Sequence, residues 1–180
     1  MYWLVTLEKE VRVSPEKLEK DIEEAVSESI SETFEGLIDP KIGVFLAVDE
    51  ILEIGEGKVY PEDPGVHFPC KFRVLAWKPV EKEVVEGEVV DVTEFGIFIR
   101  IGAIDGFVHI SQIMDDYVSY DEKNSMLVGR NSKKTIKEGD KVRARVISIS
   151  FKKESKIALT MRQPWLGALQ WIERERKKNE

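Results

Sequence analysis

From Glu81 to Met161 the chain breaks into five short segments in which apolar and polar residues alternate: EKEVVEGEVVDVTEF, GIFIRI, GFVHI, DKVRARVISIS and SKIALTM. Alternation at period two marks a strand with one face in a core. Five short strands separated by turn residues predict a small closed barrel of the OB type. The segment from Ser111 to Lys137, before the fourth strand, is too long for a plain loop, and SQIMDDY is expected to start a short helix inside it. Beyond the barrel, QPWLGALQWIERERKK reads as a C-terminal helix docked by Trp165, Leu166, Leu169, Trp171 and Ile172. The charged end ERERKKNE reads as a frayed terminus.

The first 79 residues follow a different pattern. Residues 2–13 read as a strand. Ser14-Pro15 then opens a predicted helix, since serine can accept a bond from a free N–H of the first turn and proline needs no donor there. Leu18, Ile22, Ala25, Val26, Ile30 and Phe34 form an apolar stripe at helical spacing, and Gly36 ends the helix. IGVFLAVDEILEI (residues 42–54) reads as a long strand. HFPCKFRVLAWKP reads as another, with Pro69 pointing to an edge or a bulge. The expectation is one helix on a small antiparallel sheet. Both long strands are apolar on nearly every residue, so the sheet's second face is expected to be covered by the other domain or by another chain. Lys78-Pro79 marks the boundary. The predicted organisation is α+β: a docking domain over 1–79, a barrel over 80–163, and a helix and tail over 164–180.

Bulk properties exclude several classes. No apolar run approaches the ~18–20 residues of a membrane span. MYWLVTLEKEVRVSPEK has no basic leader and no small-residue cleavage site, so it reads as strand and not as a signal peptide. The single cysteine, Cys70, fits a reducing cytoplasm. His67 and Cys70 lack a second pair to complete a zinc site. GEGK runs into strand-like sequence and lacks the longer phosphate-loop pattern. Asp115-Asp116 has no evident third ligand for a metal, and no serine or cysteine has an identifiable base partner. No catalytic group and no cofactor are expected.

The net charge of −7 argues against general duplex-DNA binding, but it hides a division. Residues 1–82 carry 18 acidic and 10 basic side chains, whereas residues 83–163 carry 13 of each. Arg130 to Lys156 holds ten cations (Arg130, Lys133, Lys134, Lys137, Lys141, Arg143, Arg145, Lys152, Lys153 and Lys156) against Glu138, Asp140 and Glu154. Such asymmetry points to two modules with different partners.

The stretch EFGIFIRIGAIDGFVHISQI (residues 94–113) interleaves aromatics with glycines. Phe95 and Phe98 are three apart and would fall on opposite faces of a regular strand. A bulge at Gly96 is expected to bring both to one side, with Arg100 two residues beyond Phe98. Asp105-Gly106 turns the chain back, placing His109 on the neighbouring strand. Ile97, Ile99, Ile101 and Val108 fill the barrel. Bases of a single strand can stack on such rings while Lys and Arg follow the phosphates.

Those residues resemble the S-one RNA-binding domain, a match covering roughly residues 83–162. The resemblance implies that Phe95, Phe98 and His109 belong to the RNA face and that its basic position falls on Lys156. The acidic position falls on Ser150, a departure that argues for weak, backbone-led binding. The neighbouring Arg100, Lys141, Arg143 and Arg145 complete the candidate RNA-binding set. Together with the acidic N-terminal module, the insert MDDYVSYDEKNSMLVGR and the ending IALTMRQPWLG, the whole chain resembles the large stalk subunit of archaeal RNA polymerase. This implies a truncated RNP-like N-terminal module and a non-catalytic subunit that pairs with a small helical stalk subunit. It also implies docking on the polymerase core near the RNA exit, contact with single-stranded nascent RNA, and help with promoter opening and processivity. The tip IGEGKVYPEDPG, with Gly55, Gly57, Lys58, Pro61, Pro64 and Gly65, is the candidate docking element. Two other readings are an S-one adaptor of a translation-initiation or RNA-degradation complex, and a stand-alone RNA-cleaving enzyme. The acidic module and the ending speak against the adaptor; metal-dependent nuclease activity of the chain alone would support the enzyme.

Overall fold

The computed structural model describes residues 1–151 and 156–179, the last two without their side chains. Lys152 and Lys153 of the basic segment, with Glu154 and Ser155, lie outside the described residues. The chain divides into two compact units, Met1–Lys78 and Pro79–Glu180.

The first unit is a sheet with one long helix. Strand β1 (Tyr2–Val13) leads to a single 3-10 turn, Pro15–Glu19, and then to helix α1 (Ile22–Phe34). β2 (Ile38–Asp39), β3 (Gly43–Ile54), β4 (Lys58–Val59) and β5 (Val66–Trp77) complete it. The order is β1-β5-β3-β2, with β4 also on β5 and all pairings antiparallel.

The helix predicted from Ser14 is therefore split. Ser14 makes no side-chain cap, and Lys20 and Asp21 are extended, which breaks the 3.6-residue period. Leu18 and Ile22 leave the stripe and stay exposed, while Ala25, Val26 and Ile30 are buried. The 3-10 turn is tied back to α1 by Lys17–Glu32 and Lys20–Glu28 ion pairs. Ser29 is buried among these apolar residues without penalty, because its hydroxyl donates to Ala25 O at 2.8 Å. The helix ends before Gly36, at φ +80°.

β3 departs from strand periodicity. Its pairing with β5 shifts register three times, between Phe45/Ala47, Val48/Glu50 and Ile51/Glu53. Each bulge adds one residue, so the core-facing period becomes three. Phe45, Val48, Ile51 and Ile54 all join the core of Val11, Val26, Ile30, Phe68, Phe72 and Val74. Pro69 was expected at an edge or bulge, yet β5 is the central strand. Its carbonyl faces the β3 side, where it accepts from Gly55 N–H at 2.8 Å. The missing donor thus falls in the gap between the end of β3 and the start of β4, where no ladder bond is lost. On the sheet's other face Tyr2 and Leu4 are exposed, while Trp77 and Val44 are buried.

The second unit contains the predicted closed five-stranded barrel. β6 (Val84–Thr93), β7 (Gly96–Arg100), β8 (Asp105–His109), β12 (Lys141–Ser150) and β13 (Lys156–Thr160) close in the order β6-β7-β8-β13-β12 and back to β6. Only β8 and β13 run parallel. Ile97, Ile99, Val108, Val142, Ala144, Ile157 and Leu159 fill the interior.

The insert is not helical beyond one 3-10 turn, Ile110–Gln112. It is an antiparallel sheet of β9 (Val118–Asp121), β10 (Met126–Gly129) and β11 (Thr135–Lys137), in the order β9-β10-β11. Buried Leu127 and Ile136 face one another across β10 and β11. The C-terminal helix is also shorter than expected. Gly167–Ala168 form β14 on β12, and helix α2 (Leu169–Asn179) follows. Trp165, at φ +66°, is exposed and does not dock, whereas Trp171 is buried.

Candidate nucleic-acid interface

Strand register defines the outer surface of the barrel. Across β7 and β8, Gly96 faces His109, Phe98 faces Phe107 and Arg100 faces Asp105. Phe107 in turn faces Ala158 on β13, and Phe98 faces Asp91 on β6. The Phe98 and Phe107 rings are 5.0 Å apart and tilted, and Phe107 meets His109 edge-on at 6.5 Å. These three rings run diagonally across the two strands on one surface. Phe98 is 37% exposed and His109 is exposed, so the surface is open to stacking.

Phe95 reaches the surface by another route. The bulge expected at Gly96 lies instead on β6, between Val89 and Asp91. Thr93 pairs with Gly96, leaving Glu94-Phe95 as the tip of a two-residue hairpin. Phe95 escapes the strand alternation because it is in the turn, and is 65% exposed. Gly96 has a different task. At φ +155°, a Cβ there would sit 2.1 Å from Val108 O and 2.9 Å from the Phe107 ring. Glycine lets β8 and the Phe107 ring close over this end of β7.

His109 is held by the start of the 3-10 turn, where its Nδ1 accepts from Ser111 N–H at 3.3 Å and lies 2.9 Å from Ser111 Oγ. An Nδ1 that accepts leaves the proton of the neutral ring on Nε2.

The basic residues divide into two groups. Arg100 pairs loosely with Asp105 at 3.8 Å and remains open. Lys141 faces Glu88, which also faces Arg100, so it lies two strands from Arg100, on the order of 10 Å. Lys156 is exposed on the same outer alternation as Ala158 and faces Ser150. Arg143 is paired with Glu86 at 2.7 Å, and Arg145 has a buried Nε with no hydrogen-bond partner among the described residues. Glu86 and Asp91 are about 15 Å apart along β6, so Arg143 stands well away from the rings, whereas Arg145 faces Thr160, two residues along β13 from the Ala158 that faces Phe107. Sequence reasoning missed Phe107, Asp91 and Asp105. For Phe107 part of the signal was available, since it shares one alternation with His109; its alignment with Phe98 came from the β7–β8 register.

The candidate docking tip is a braced hairpin. Asp63 accepts from Arg12 Nε at 2.9 Å and Nη2 at 2.7 Å, from Gly65 N–H at 2.9 Å, and faces His67 Nε2 at 2.8 Å. Arg12, then Gly65 and His67, hold the Asp63 carboxyl well below the usual carboxylate range. Glu10 faces the other nitrogen of His67 at 3.2 Å and accepts from the Tyr60 hydroxyl at 3.2 Å. Gly55, Gly57 and Gly65 allow close packing against Pro69, Phe68 and Arg12. Lys58, Pro61 and Pro64 face outward, beside Tyr60 and Val59, which is 70% exposed. The bracing residues were not visible as a group in the sequence, because Arg12 and Asp63 are 51 positions apart.

Asp115 and Asp116 each have a structural partner. Asp115 pairs with Arg162. Asp116 gathers the 129–134 turn, and the N–H groups and hydroxyl it accepts from lower its pKa to about 2, Ser132 N–H foremost. Among the described residues no group of three or more His, Cys, Asp or Glu could hold a metal, and no helix is long and apolar enough to cross a membrane.

Family models match both units. Residues 78–162 match the S1 RNA binding domain, and residues 8–64 match the SHS2 domain found in the N terminus of Rpb7p/Rpc25p/MJ0397. The chain is 39% identical over 180 residues to DNA-directed RNA polymerase subunit Rpo7 of Saccharolobus shibatae, covering 98% of this chain and 100% of that protein. It is 36% identical over 177 residues to Rpo7 of Sulfolobus acidocaldarius, covering 97% of each. Similarity to ribonuclease R of Buchnera aphidicola reaches 40%, but over 81 residues only, 44% of this chain and 11% of the enzyme. That match takes in less than half of the chain, whereas the similarity to Rpo7 runs through both units; the chain belongs to the Rpo7 family of DNA-directed RNA polymerase subunits.

Proposed function

We propose that this chain is the non-catalytic large stalk subunit of its polymerase, working in the cytoplasm. In this reading it pairs with a small helical stalk subunit and docks on the polymerase core through Ile54–Gly65. Its barrel holds emerging single-stranded RNA on the surface of Phe98, Phe107 and His109, with Phe95, Arg100, Lys141 and Lys156 around it. Arg143 contributes at most to longer-range attraction, since it is paired and lies apart from the rings, whereas Arg145 lies on the β13 side of the platform. The observation that carries the reading is the row of outward-facing rings on a barrel whose interior is already filled by aliphatic side chains. Rings that the core does not need, flanked by cations, form a platform for bases and phosphates. Ser150 beside Lys156, where the family has a carboxylate, favours contacts to the backbone over base reading.

Titration of the full chain with a single-stranded oligonucleotide tests the RNA surface. Phe98→Ala removes one stacking ring, worth about 1–3 kcal/mol per base, and is expected to weaken binding at least fivefold. Lys156→Ala is expected to weaken it and to flatten its salt dependence. Unchanged affinity in both variants would refute the assignment of this surface. Gentle affinity purification from native cells tests the assembly: large polymerase subunits and one small helical partner are expected. Recovery of ribosomal or exonuclease subunits would refute the stalk reading.

A further inference from the structure

The insert carries a second exposed aromatic held in an unusually built setting. Tyr117 is 67% exposed, and the Arg130 guanidinium lies over its ring, 5.2 Å from the centroid. Arg130 N–H also donates to Tyr117 O at 2.8 Å, fixing the backbones of the two residues against each other. Beneath them Asp116 accepts from Tyr117 N–H at 2.7 Å, Asn131 N–H and Nδ2 at 2.9 Å, Ser132 N–H at 2.7 Å and Ser132 hydroxyl at 2.9 Å. Gly129 permits this closeness, since a Cβ there would meet Ser132 Oγ at 2.5 Å and Met114 S at 2.7 Å. A surface tyrosine that served only to cover its neighbours would not need such bracing.

The turn at 130–134 holds Arg130, Lys133 and Lys134, with Asp116 bound beneath it, whereas the opposite hairpin holds Asp121 and Glu122 with Lys123, and Lys137 lies at that opposite end, since it faces Met126, which faces Asp121. Lys134 is committed to Glu175 at 2.7 Å and to the Trp171 ring, but Lys133 is exposed. The Tyr117 end is also the end joined to the barrel beside His109. Gln112 accepts from Thr160 hydroxyl at 2.9 Å and from Met161 N–H at 2.8 Å, and Asp115 pairs with Arg162. Arg162 is itself paired, so this junction serves to hold the segment between His109 and Tyr117 against the barrel. His109 and Tyr117 are eight positions apart in sequence, so their Cα atoms are at most about 29 Å apart.

We infer that the Tyr117–Arg130 pair is a second stacking site for single-stranded RNA, continuing the strand held on the barrel past His109 onto the 130–133 turn of the insert. The inference rests on the RNA reading above. A base stacks on the open side of the Tyr117 ring, and Lys133, in the same turn as Arg130, neutralises a phosphate beside it. A single strand suits the site better than a duplex, because the ring is reached only by an unpaired base.

The test is a fluorescence titration of the full chain with oligouridines of about 4 and about 16 nucleotides, the ends of the range one such barrel covers. Tyr117→Ala is expected to weaken the long oligomer about five- to tenfold and leave the short one unchanged. Tyr117→Phe, which keeps the ring, is expected to bind both as the wild type does. Lys133→Glu is expected to weaken only the long oligomer. If Tyr117→Ala binds the long oligomer as tightly as the wild type while Phe98→Ala loses affinity, this inference is overturned and the RNA reading stands. Equal weakening of both lengths by Tyr117→Ala would place its effect on the barrel and also overturn the inference. If the wild type binds neither oligomer, both readings fall together.

Discussion

Gly96→Ala puts the construction of the ring surface to a quantitative test. The added Cβ would lie 2.1 Å from Val108 O, against the 3.4 Å at which ordinary contact begins. The obstacle is backbone of the neighbouring strand, so no side chain can rotate away. Either β7 and β8 separate by more than an ångström or the hairpin Thr93–Gly96 opens. Overpacking of this kind costs about 1–3 kcal/mol, and a non-glycine residue forced to φ +155° adds about 1–3 kcal/mol more. We expect a loss of about 3 kcal/mol in the second unit. With a urea dependence of about 2 kcal/mol per molar, the unfolding midpoint falls by about 1.5 M. Hydrogen exchange read by peptide as a function of urea is the suitable assay, because it follows the two units separately. Residues 79–179 should lose protection early, and residues 1–78 should be unaffected. Gly139→Ala is the control: it also has positive φ, +84°, but nothing lies within 4 Å of the new Cβ, so its cost is only about 1 kcal/mol. Gly96→Ala unfolding no earlier than Gly139→Ala would refute the argument that close strand approach at Gly96 builds the surface.

The remaining predictions concern the two braced loops and the charge on the barrel. Asp116 has a depressed folded pKa of about 2, so its contribution is complete above the ordinary carboxylate range and is lost as pH falls from about 4 to 2. Carboxyl NMR of Asp116 should give a midpoint near 2; a midpoint near 4 would contradict the hydrogen-bonded turn at 129–134. Asp63→Asn removes the charge that engages Arg12 and His67, and should speed exchange of the Gly65 and His67 amides without changing RNA affinity. An unchanged exchange rate at Gly65 would mean that the tip does not depend on this network. RNA affinity of the wild type should fall steeply with salt, and a flat profile would remove the cations from the binding surface.

Much of the architecture was legible in residue order. The alternation in GIFIRI and GFVHI predicted the barrel strands and the burial of Ile97, Ile99 and Val108, whereas Ile101, past the end of β7, is only half-buried. The helical stripe predicted the burial of Ala25, Val26 and Ile30. Errors arose where long-range partners override local pattern. Extended backbone at Lys20-Asp21 splits the helix and removes Leu18 and Ile22 from its buried side. SQIMDDY begins as helix for one turn and then yields to a sheet, because Leu127 and Ile136 gain more by closing on each other. Pro69 sits in a central strand because its missing donor faces a gap made by the end of another strand.

The sequence by itself determined the two modules, the closed barrel and the choice of Phe95, Phe98, Arg100 and His109 as surface residues, since periodicity and turn chemistry are local properties. Only the tertiary structure decided which of them act together. Register across β7 and β8 placed Phe107 between Phe98 and His109, and pairing with Glu86 removed Arg143 from the platform. The Arg12–Asp63–His67 brace and the Asp116 turn likewise join residues distant in sequence. Such groups become a site only when strand pairing brings them within hydrogen-bonding distance, and no local pattern carries that information.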